Sequence, residues 1–355
     1  MTLSETLFKK AEQLRARSRF QDAEKIYRRV LRQSAVHPHE KSEALLGLAD
    51  VERIQGDFTE ALAHYQAAGR ILAKLDPDAA MDAKVGWALA ARATGRPKEA
   101  LAVLRKALAF YGARQDAGGQ AFAHWALGGT LRIAGNMREG LKQLQKALAL
   151  FKKLGDWDGV AYTCCALGGI HRMLGAYGLS GKYYREANRR MRRQDDVFGT
   201  AYSYCGLGNV QRMGGRFHAA LPFYRKAERL YGLIGDKVSY AYTLWSIGTT
   251  YKMLGDYSKA HGAFQKADKL FKKTGDTRGR IYALLGFAEC EWLKGHAAKG
   301  KGFWKAAKSI ADKSGFAWES LHVAALAGGG VKNLSKRYQK AGSKFQPQTL
   351  PVNWP

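Results

Sequence analysis

A unit of 40 residues recurs along most of this chain. Its clearest copy is residues 241–267, and its marked positions are Ile247-Gly248, Tyr251, Gly255, Ala260, Phe264 and Ala267. Steps of 40 residues towards the N-terminus give equivalent units that begin at Leu207-Gly208, Leu167-Gly168 and Leu127-Gly128. A fixed period between about 20 and 50 residues is typical of stacked-repeat architectures. The period therefore predicts an elongated array rather than two ordinary domains.

Each unit has the pattern of two helices joined by a tight turn. Both halves carry apolar residues at helical spacing. The glycine between them breaks the helix and permits the turn, and it stands at Gly135, Gly175, Gly215 and Gly255. Small residues at 128, 168, 208 and 248 let two helices approach closely. Large residues at 144, 184, 224 and 264 fill the space between neighbouring units.

This order of small and large residues resembles the tetratricopeptide repeat over most of the 355 residues. The 40-residue period is similar to a subclass found in spindle-orientation adaptors with Leu-Gly-Asn repeats and in bacterial peptide-pheromone receptors. The resemblance implies an all-α, right-handed superhelical solenoid of about eight helix-turn-helix repeats plus a C-terminal capping helix. The extra residues of the longer repeat follow the second helix, for example at Ile234-Gly235-Asp236.

The repeat positions predict the organisation of the chain. The solenoid spans 1–314, with repeats at about 1–39, 40–79, 80–118, 119–158, 159–198, 199–238, 239–278 and 279–314. Residues 315–330 are predicted to form a capping helix, and 331–355 a basic tail that contains proline. The composition of this tail favours disorder, with a short helix at its start and extended chain after it. Pro347, Pro351 and Pro355 oppose helix there.

The charge balance bears on partners rather than on fold. Lys and Arg number 58 against 30 acidic residues, a formal net charge of +28. Such a surplus favours anionic partners. The N-terminus has no signal-peptide pattern and the apolar runs are short, so we expect a cytoplasmic protein without a membrane span.

The sequence carries no pattern typical of an enzyme. It has no Gly-rich phosphate loop, no His-Glu-x-x-His and no Gly-x-Ser-x-Gly. The four cysteines have no metal-binding or redox spacing. We therefore predict no catalytic residue, no metal site and no cofactor.

The resemblance implies which positions line the groove. In tetratricopeptide solenoids the first helix of each pair faces inward at positions −6, −3, +1 and +4 from the small residue of Leu-Gly. Position +4 holds Arg53, Arg92, Arg132, Arg172, Arg212 and Lys252. Position −6 holds Phe122, Tyr162, Tyr202, Tyr242 and Tyr282, and position −3 holds Trp125, Cys165, Cys205 and Trp245. Position +1 holds Gly129, Gly169, Asn209 and Thr249.

A cationic row beside an aromatic row points to an anionic, extended ligand. Arg presents a planar fork to carboxylate or phosphate, and Tyr presents a flat apolar ring with a hydroxyl. Like charges in one concave surface repel one another unless an anion is present. Asn209 alone matches the Asn of a Leu-Gly-Asn triplet. For the Tyr row, packing between repeats is an equally good interpretation.

Two function classes follow from these residues. The first is a protein-binding scaffold that holds an acidic segment in the groove. The second is non-specific binding of nucleic acid, in the groove or on the outer helices. Those helices carry Arg185, Arg189, Arg190, Arg192 and Arg193, then Lys269, Lys272 and Lys273. An anionic membrane surface, and self-association through the convex faces or the 345–355 tail, remain alternatives. Affinity for nucleic acid should fall steeply with salt.

Overall fold

The chain folds into helix pairs stacked along one solenoid. The structure, a computed structural model, describes residues 3–33 and 37–355, so parts of the first predicted repeat, 1–2 and 34–36, lie outside the described residues. Regular structure in the described residues is helical throughout. The pairs are α1 (Leu3–Ala16) with α2 (Phe20–Leu31), α3 (Pro38–Gln55) with α4 (Phe58–Leu75), α5 (Pro77–Ala91) with α6 (Pro97–Ala113), α7 (Ala117–Ile133) with α8 (Met137–Leu154), α9 (Trp157–Met173) with α10 (Tyr177–Arg193), α11 (Val197–Met213) with α12 (Phe217–Ile234), α13 (Lys237–Met253) with α14 (Tyr257–Lys273), and α15 (Thr277–Leu293) with α16 (Ala297–Lys313). A shorter helix α17 (Ala317–Ala325), a 3-10 turn (Ala327–Gly329) and helix α18 (Ser335–Lys340) follow. The prediction of an all-α repeat solenoid is confirmed.

Aspartate caps mark the start of most repeats. Asp156 precedes α9, and its Oδ1 accepts a hydrogen bond from the Gly159 amide at 2.8 Å. Aspartates at 116, 196, 236 and 276 cap their helices in the same way. A side-chain oxygen at this position satisfies one of the amides that have no partner within the helix. From α3 onwards the first helices consequently start two or three residues before the boundaries that the sequence pattern indicates.

In most repeats one large side chain of the second helix packs against a glycine of a neighbouring first helix. Tyr184 of α10 is buried between Gly168 and Gly206. A Cβ atom at Gly168 would lie 2.8 Å from the Tyr184 ring, and one at Gly206 would overlap it. Phe264 occupies the equivalent place in α14. This contact fixes the distance between repeats, and with it the curvature of the stack.

The curvature brings the first two repeats against the sixth and seventh. Asp57, in the turn of the second repeat, accepts a hydrogen bond from Lys237 Nζ at 3.1 Å. The rings of Phe20 and Phe198 lie 6.1 Å apart with edge-to-face geometry. The turns of the first two repeats therefore pack against the loops that precede the sixth and seventh, and the superhelix closes on itself.

The C-terminal residues continue this closure. Phe316 lies against Gly95 of the third repeat. Further on, the Ser343 hydroxyl donates to the Met173 carbonyl, and the Lys344 amide donates to Leu174 O at 3.4 Å. The capping segment and the tail thus bridge the turns of repeats three and five.

The tail is ordered along its length, which corrects the expectation of disorder. After α18 it has no further helix, as its prolines indicate. Tyr338, Val352 and Trp354 are each at most 2% exposed. Basic composition is a poor guide here because the residues that dock are the few apolar ones, and the cations between them face solvent.

Gly206→Ala should destabilise the fold by about 1–3 kcal/mol, because the new methyl group overpacks Tyr184. The measurement is the urea midpoint followed by circular dichroism at 222 nm. Gly232→Ala is the matched control, since nothing lies within 4 Å of a Cβ atom built there. The control should be neutral or slightly stabilised, as alanine favours an exposed helix. An unchanged midpoint for Gly206→Ala would mean that this contact does not set the repeat spacing.

Asp236→Asn should stabilise the protein at pH 7 and much less at pH 4. Burial raises the pKa of Asp236 from 3.8 to about 6. The folded chain therefore takes up a proton more readily than the unfolded chain, and stability is lost as the pH rises through this interval. The cost at neutral pH is on the order of 3 kcal/mol. Asparagine keeps the helix cap and stays neutral.

Urea midpoints of both proteins at pH 4 and pH 7 test this. Asp156→Asn is the control, since Asp156 is an exposed cap at the same repeat position. An Asp236→Asn advantage that is equal at both pH values would contradict the prediction.

Candidate functional site

The predicted cations at repeat position +4 fall into three groups in the structure. All six stand at or just after the ends of first helices α3, α5, α7, α9, α11 and α13. The members of each group differ in what their charge meets. One cation is paired within its own repeat, two are covered by the tail, and the remaining three have neither an acidic partner nor a contact with the tail among the described residues.

Arg53 is the cation paired within its repeat. Its Nε donates to the Tyr65 hydroxyl at 3.1 Å, and its Nη2 lies 3.3 Å from Asp50 Oδ1. The Tyr65 hydroxyl also donates to Asp50 at 2.5 Å. The charge of Arg53 is therefore neutralised locally.

Arg212 and Lys252 are fully buried beneath the tail. Arg212 Nη1 donates to the Trp354 carbonyl at 2.8 Å and to the Asn353 side-chain oxygen. Lys252 Nζ donates to Glu289 Oε1 at 2.6 Å and to the Val352 carbonyl at 2.9 Å. Burial lowers the pKa of both cations. These two positions are filled rather than open.

Arg92, Arg132 and Arg172 form the arginine wall, the name used below for these three residues. All are half-buried. Arg92 reaches only the carbonyl of Ala126 and the hydroxyl of Thr130, each at 3.5 Å. Arg132 Nη1 contacts the sulfur atom of Met173 at 3.8 Å. Two buried nitrogens of Arg172 have no hydrogen-bond partner among the described residues. None of these contacts is with a carboxylate.

The electrostatics of the wall reflect crowded, poorly solvated positive charge. Burial, together with the neighbouring cations Arg132 and Arg53, lowers the pKa of Arg92 to about 9. Burial also lowers the pKa of Arg132, where Arg278 and Arg172 act in the same direction. A guanidinium group with a depressed pKa is one whose charge the fold does not compensate. An incoming anion would compensate it.

The residues at repeat position +1 explain why the cations of the arginine wall lack the acid that the cations at the ends of the row have. It holds an acid at each end of the array, Asp50 in the second repeat and Glu289 in the eighth. In the middle it holds Gly129 and Gly169. A Cβ atom at Gly129 would lie 2.7 Å from Arg92 Nη1, so the glycine leaves room for that guanidinium group. The row therefore has an acid at each end, and Arg92, Arg132 and Arg172 between them meet none among the described residues.

Glu289 is a residue that the sequence reading missed. It lies 40 residues after Thr249, at the next position +1, so extending the row by one repeat would have found it. It is fully buried and bonds both Lys252 and the tail. Arg278 was missed as well, because it lies outside the four predicted positions. Its Nε donates to Glu319 Oε1 at 2.6 Å.

Most of the predicted tyrosine row bonds acidic groups between repeats. Tyr162 donates to Asp196 at 2.8 Å, Tyr242 to Asp276 at 3.3 Å, and Tyr282 to Glu319 at 2.8 Å. Asp196 and Asp276 are the caps of the following first helices. These hydroxyls serve inter-repeat packing, which is the second interpretation of the row.

Tyr202 differs from the rest of the row. It is 37% exposed, and its ring lies close enough to influence the pKa of Arg92 and Arg132. It is therefore the tyrosine that the structure places with the arginine wall.

The predicted tryptophans and Asn209 divide between the two halves of the concave surface. Trp125 is half-buried, stacks on Phe122 at 5.5 Å and lies 6.0 Å from Arg92. Trp245 is buried, 5.5 Å from Arg212. Asn209 accepts hydrogen bonds from Tyr224 and Arg212. Trp125 thus belongs to the open half, and Trp245 and Asn209 to the half under the tail.

The described residues contain no group of three His, Cys, Asp or Glu side chains placed to hold a metal ion. Among the helices of residues 3–33 and 37–355, none has the length and hydropathy needed to cross a membrane.

The backbone geometry has counterparts among solved structures. A Rap protein complexed with competence and sporulation factor has a TM-score of 0.63 and 13% identity, over 87% of this chain and 98% of its own. The Rap conjugation gene regulator of plasmid pLS20, in complex with the Phr* peptide, has a TM-score of 0.65 and 13% identity, over 87% of this chain and 95% of its own. A chain of the APC/C hetero-tetramer Cut9-Hcn1 has a TM-score of 0.61 and 16% identity, and the match covers 89% of this chain and 54% of that one. At these identities the similarity is one of fold.

Sequence comparison points to the same architecture. A search of curated protein sequences finds no match to this chain. The sequence profile of the tetratricopeptide repeat matches residues 2–74, 40–113, 162–232 and 200–273, together more than half of the chain. The chain therefore belongs to the tetratricopeptide-repeat family, as a helical solenoid of the kind that acts as a protein-interaction scaffold.

Proposed function

We propose that this protein is a non-catalytic adaptor that binds an acidic, extended segment of another protein along its arginine wall. The observation that carries the proposal is the set of three half-buried arginines without an acidic partner among the described residues. Like charges held together in a concave surface cost stability. A ligand carboxylate would relieve that cost, and an arginine fork can bond it in two places.

The surroundings of the wall suit an extended chain. Gly129 and Gly169 place no side chain in the strip beside the cations. Trp125 and the exposed ring of Tyr202 offer flat apolar surface beside the cations. Large aromatic residues and Arg near the centre of an interface are the usual hot spots of binding. Two solved structures of similar fold were determined with a peptide or signalling factor bound, which agrees with a ligand of this class.

Non-specific nucleic-acid binding is the second candidate, and the outer face favours it. Arg185, Arg192 and Arg193 are exposed on or next to α10. Lys269 and Lys273 are exposed at the equivalent part of α14. The net charge of +28 also favours binding of nucleic acid. Binding of this kind would depend on the outer cations and would weaken steeply as salt is added.

Arg92→Met should raise the thermal midpoint of the protein, because it removes an uncompensated, poorly solvated charge and keeps the apolar part of the side chain. The expected gain is of order 1 kcal/mol. Arg53→Met is the matched control at the same repeat position. It should lower the midpoint, because Arg53 bonds Asp50 and Tyr65. A loss of stability in both variants would show that Arg92 is satisfied in solution and would count against an open anion site.

Binding of an acidic peptide should depend on the cations of the arginine wall and not on those of the outer face. The probe is a fluorescein-labelled peptide of 12 glutamates, followed by anisotropy with the intact chain. Replacing Arg92, Arg132 and Arg172 together by Gln should weaken binding at least about tenfold, since several charge-assisted hydrogen bonds are lost. Replacing Arg185, Arg192 and Arg193 by Gln makes the same change in net charge on the outer face. That control should bind within about twofold of the intact chain.

A labelled thymidine oligonucleotide of equal charge distinguishes the alternative. The nucleic-acid function is favoured if the oligonucleotide binds more tightly than the peptide and if only the variant at Arg185, Arg192 and Arg193 loses oligonucleotide binding. If both triple variants bind the acidic peptide equally well, the arginine wall is not the ligand site.

A further inference from the structure

The last residues of the tail are held in the groove as a bound peptide would be. The Val352 amide donates to Glu289 Oε2 at 2.7 Å, and the Val352 carbonyl accepts from Lys252 Nζ at 2.9 Å. The Trp354 carbonyl accepts from Arg212 at 2.8 Å. These three bonds use main-chain groups of the tail, a pattern that any extended segment could reproduce.

Side chains of the tail add selectivity. The indole N–H of Trp354 donates to Glu289 Oε1 at 2.7 Å, and its ring lies 4.3 Å from His322 and 5.8 Å from Phe345. Asn353 donates from its Nδ2 to the Arg212 carbonyl at 2.9 Å. An aromatic residue with an N–H donor fits this place, and an acidic one would meet the Glu289 carboxylate.

The solenoid side of the contact needs an occupant. Glu289 accepts two of its bonds from the tail, and Arg212 donates two to it. Both residues are fully buried beneath the tail. A buried charge that loses its hydrogen-bond partners is costly. Repeats six to eight therefore form a polar site built for an extended segment.

The segment that leads into this site alternates between exposed and packed residues. Lys344, Gln346, Gln348 and Thr349 are exposed, whereas Pro347 is buried and Phe345 and Leu350 pack partly buried against the core. The docked residues 351–354 are thus joined to α18 by a tether that faces solvent along much of its length. Such a tether permits the docked end to leave while the rest of the solenoid stays folded.

We propose that repeats six to eight carry a second ligand site for extended, non-acidic segments with an Asn-Trp pair, and that residues 351–354 are its internal, exchangeable ligand. This tail site consists of Arg212, Lys252 and Glu289, and it is separate from the arginine wall. The proposal does not depend on the acidic-peptide function, because the tail peptide contains no acid.

Exchange follows from tethering. A short flexible tether gives the tail an effective concentration of roughly millimolar at its own site. A free peptide of the same sequence must compete with it, so the intact chain should bind that peptide weakly. A chain whose own tail cannot dock should bind it at least about tenfold more tightly.

The test uses the full chain and a fluorescein-labelled, amidated peptide of residues 344–355, KFQPQTLPVNWP. Anisotropy gives its affinity for the intact chain, for Trp354→Ala and for Trp157→Ala. Trp157 is half-exposed under Arg190, away from the tail, and is the matched control. Trp354→Ala should bind the peptide at least about tenfold more tightly than the intact chain does. Trp157→Ala should bind it as the intact chain does.

Two further measurements establish which site binds the peptide. A peptide with Ala in place of its Trp should lose the gain in affinity. Adding Arg132→Gln to Trp354→Ala should leave tail-peptide binding within about twofold, which separates this site from the arginine wall. Equal affinity of Trp354→Ala and the intact chain, or loss of tail-peptide binding with Arg132→Gln, would overturn the proposal.

Trp354 is buried, so circular dichroism must confirm that its variant folds. If it does not, Asn353→Ala removes polar contacts with little loss of core and should shift affinity in the same direction. Hydrogen exchange of residues 345–355 in the unsubstituted chain needs no variant at all. Exchange should accelerate when excess heavy-isotope tail peptide is added, and an unchanged rate would contradict exchange of the tail.

Discussion

The structure depends on one recurring contact, a large side chain of a second helix set against a glycine of one or both flanking first helices. Tyr184 between Gly168 and Gly206 is the clearest case. Because no Cβ atom fits at these glycines, neighbouring helices approach closely and at a constant angle. The repeats consequently curve, their first helices line the inner surface, and each +4 side chain points at a fixed interval along one wall.

Curvature has an electrostatic consequence. It places the +4 cations of successive repeats in one concave, half-buried surface, where solvent screens them poorly. The acids Asp50 and Glu289 offset the two ends of this row. Glycine replaces an acid in the middle, and Arg92 uses the space that Gly129 leaves. The charge that remains uncompensated is therefore localised, and that localisation is the physical basis for proposing an anionic ligand there.

The closed superhelix also makes the two ends of the chain relevant to the groove. Contacts such as Lys237 with Asp57 bring distant repeats together. The capping segment packs against the turn of repeat three, and the tail crosses the turn of repeat five before it enters the groove. It covers Arg212 and Lys252 and leaves the arginine wall open. One concave surface thus holds two chemically different regions, one cationic and one lined by an acid and aromatic rings.

The sequence by itself determined the repeat, the helix pairs and the row of +4 cations, because these follow from local spacing copied every 40 residues. It did not distinguish an inward tyrosine from one that bonds the next cap, as Tyr162 does with Asp196. It also left the tail undecided, since Val352 and Trp354 find their partners at Arg212 and Glu289 only after the array has curved and closed. Those contacts join residues far apart in sequence, so only the tertiary structure could decide which cations are covered and which remain open.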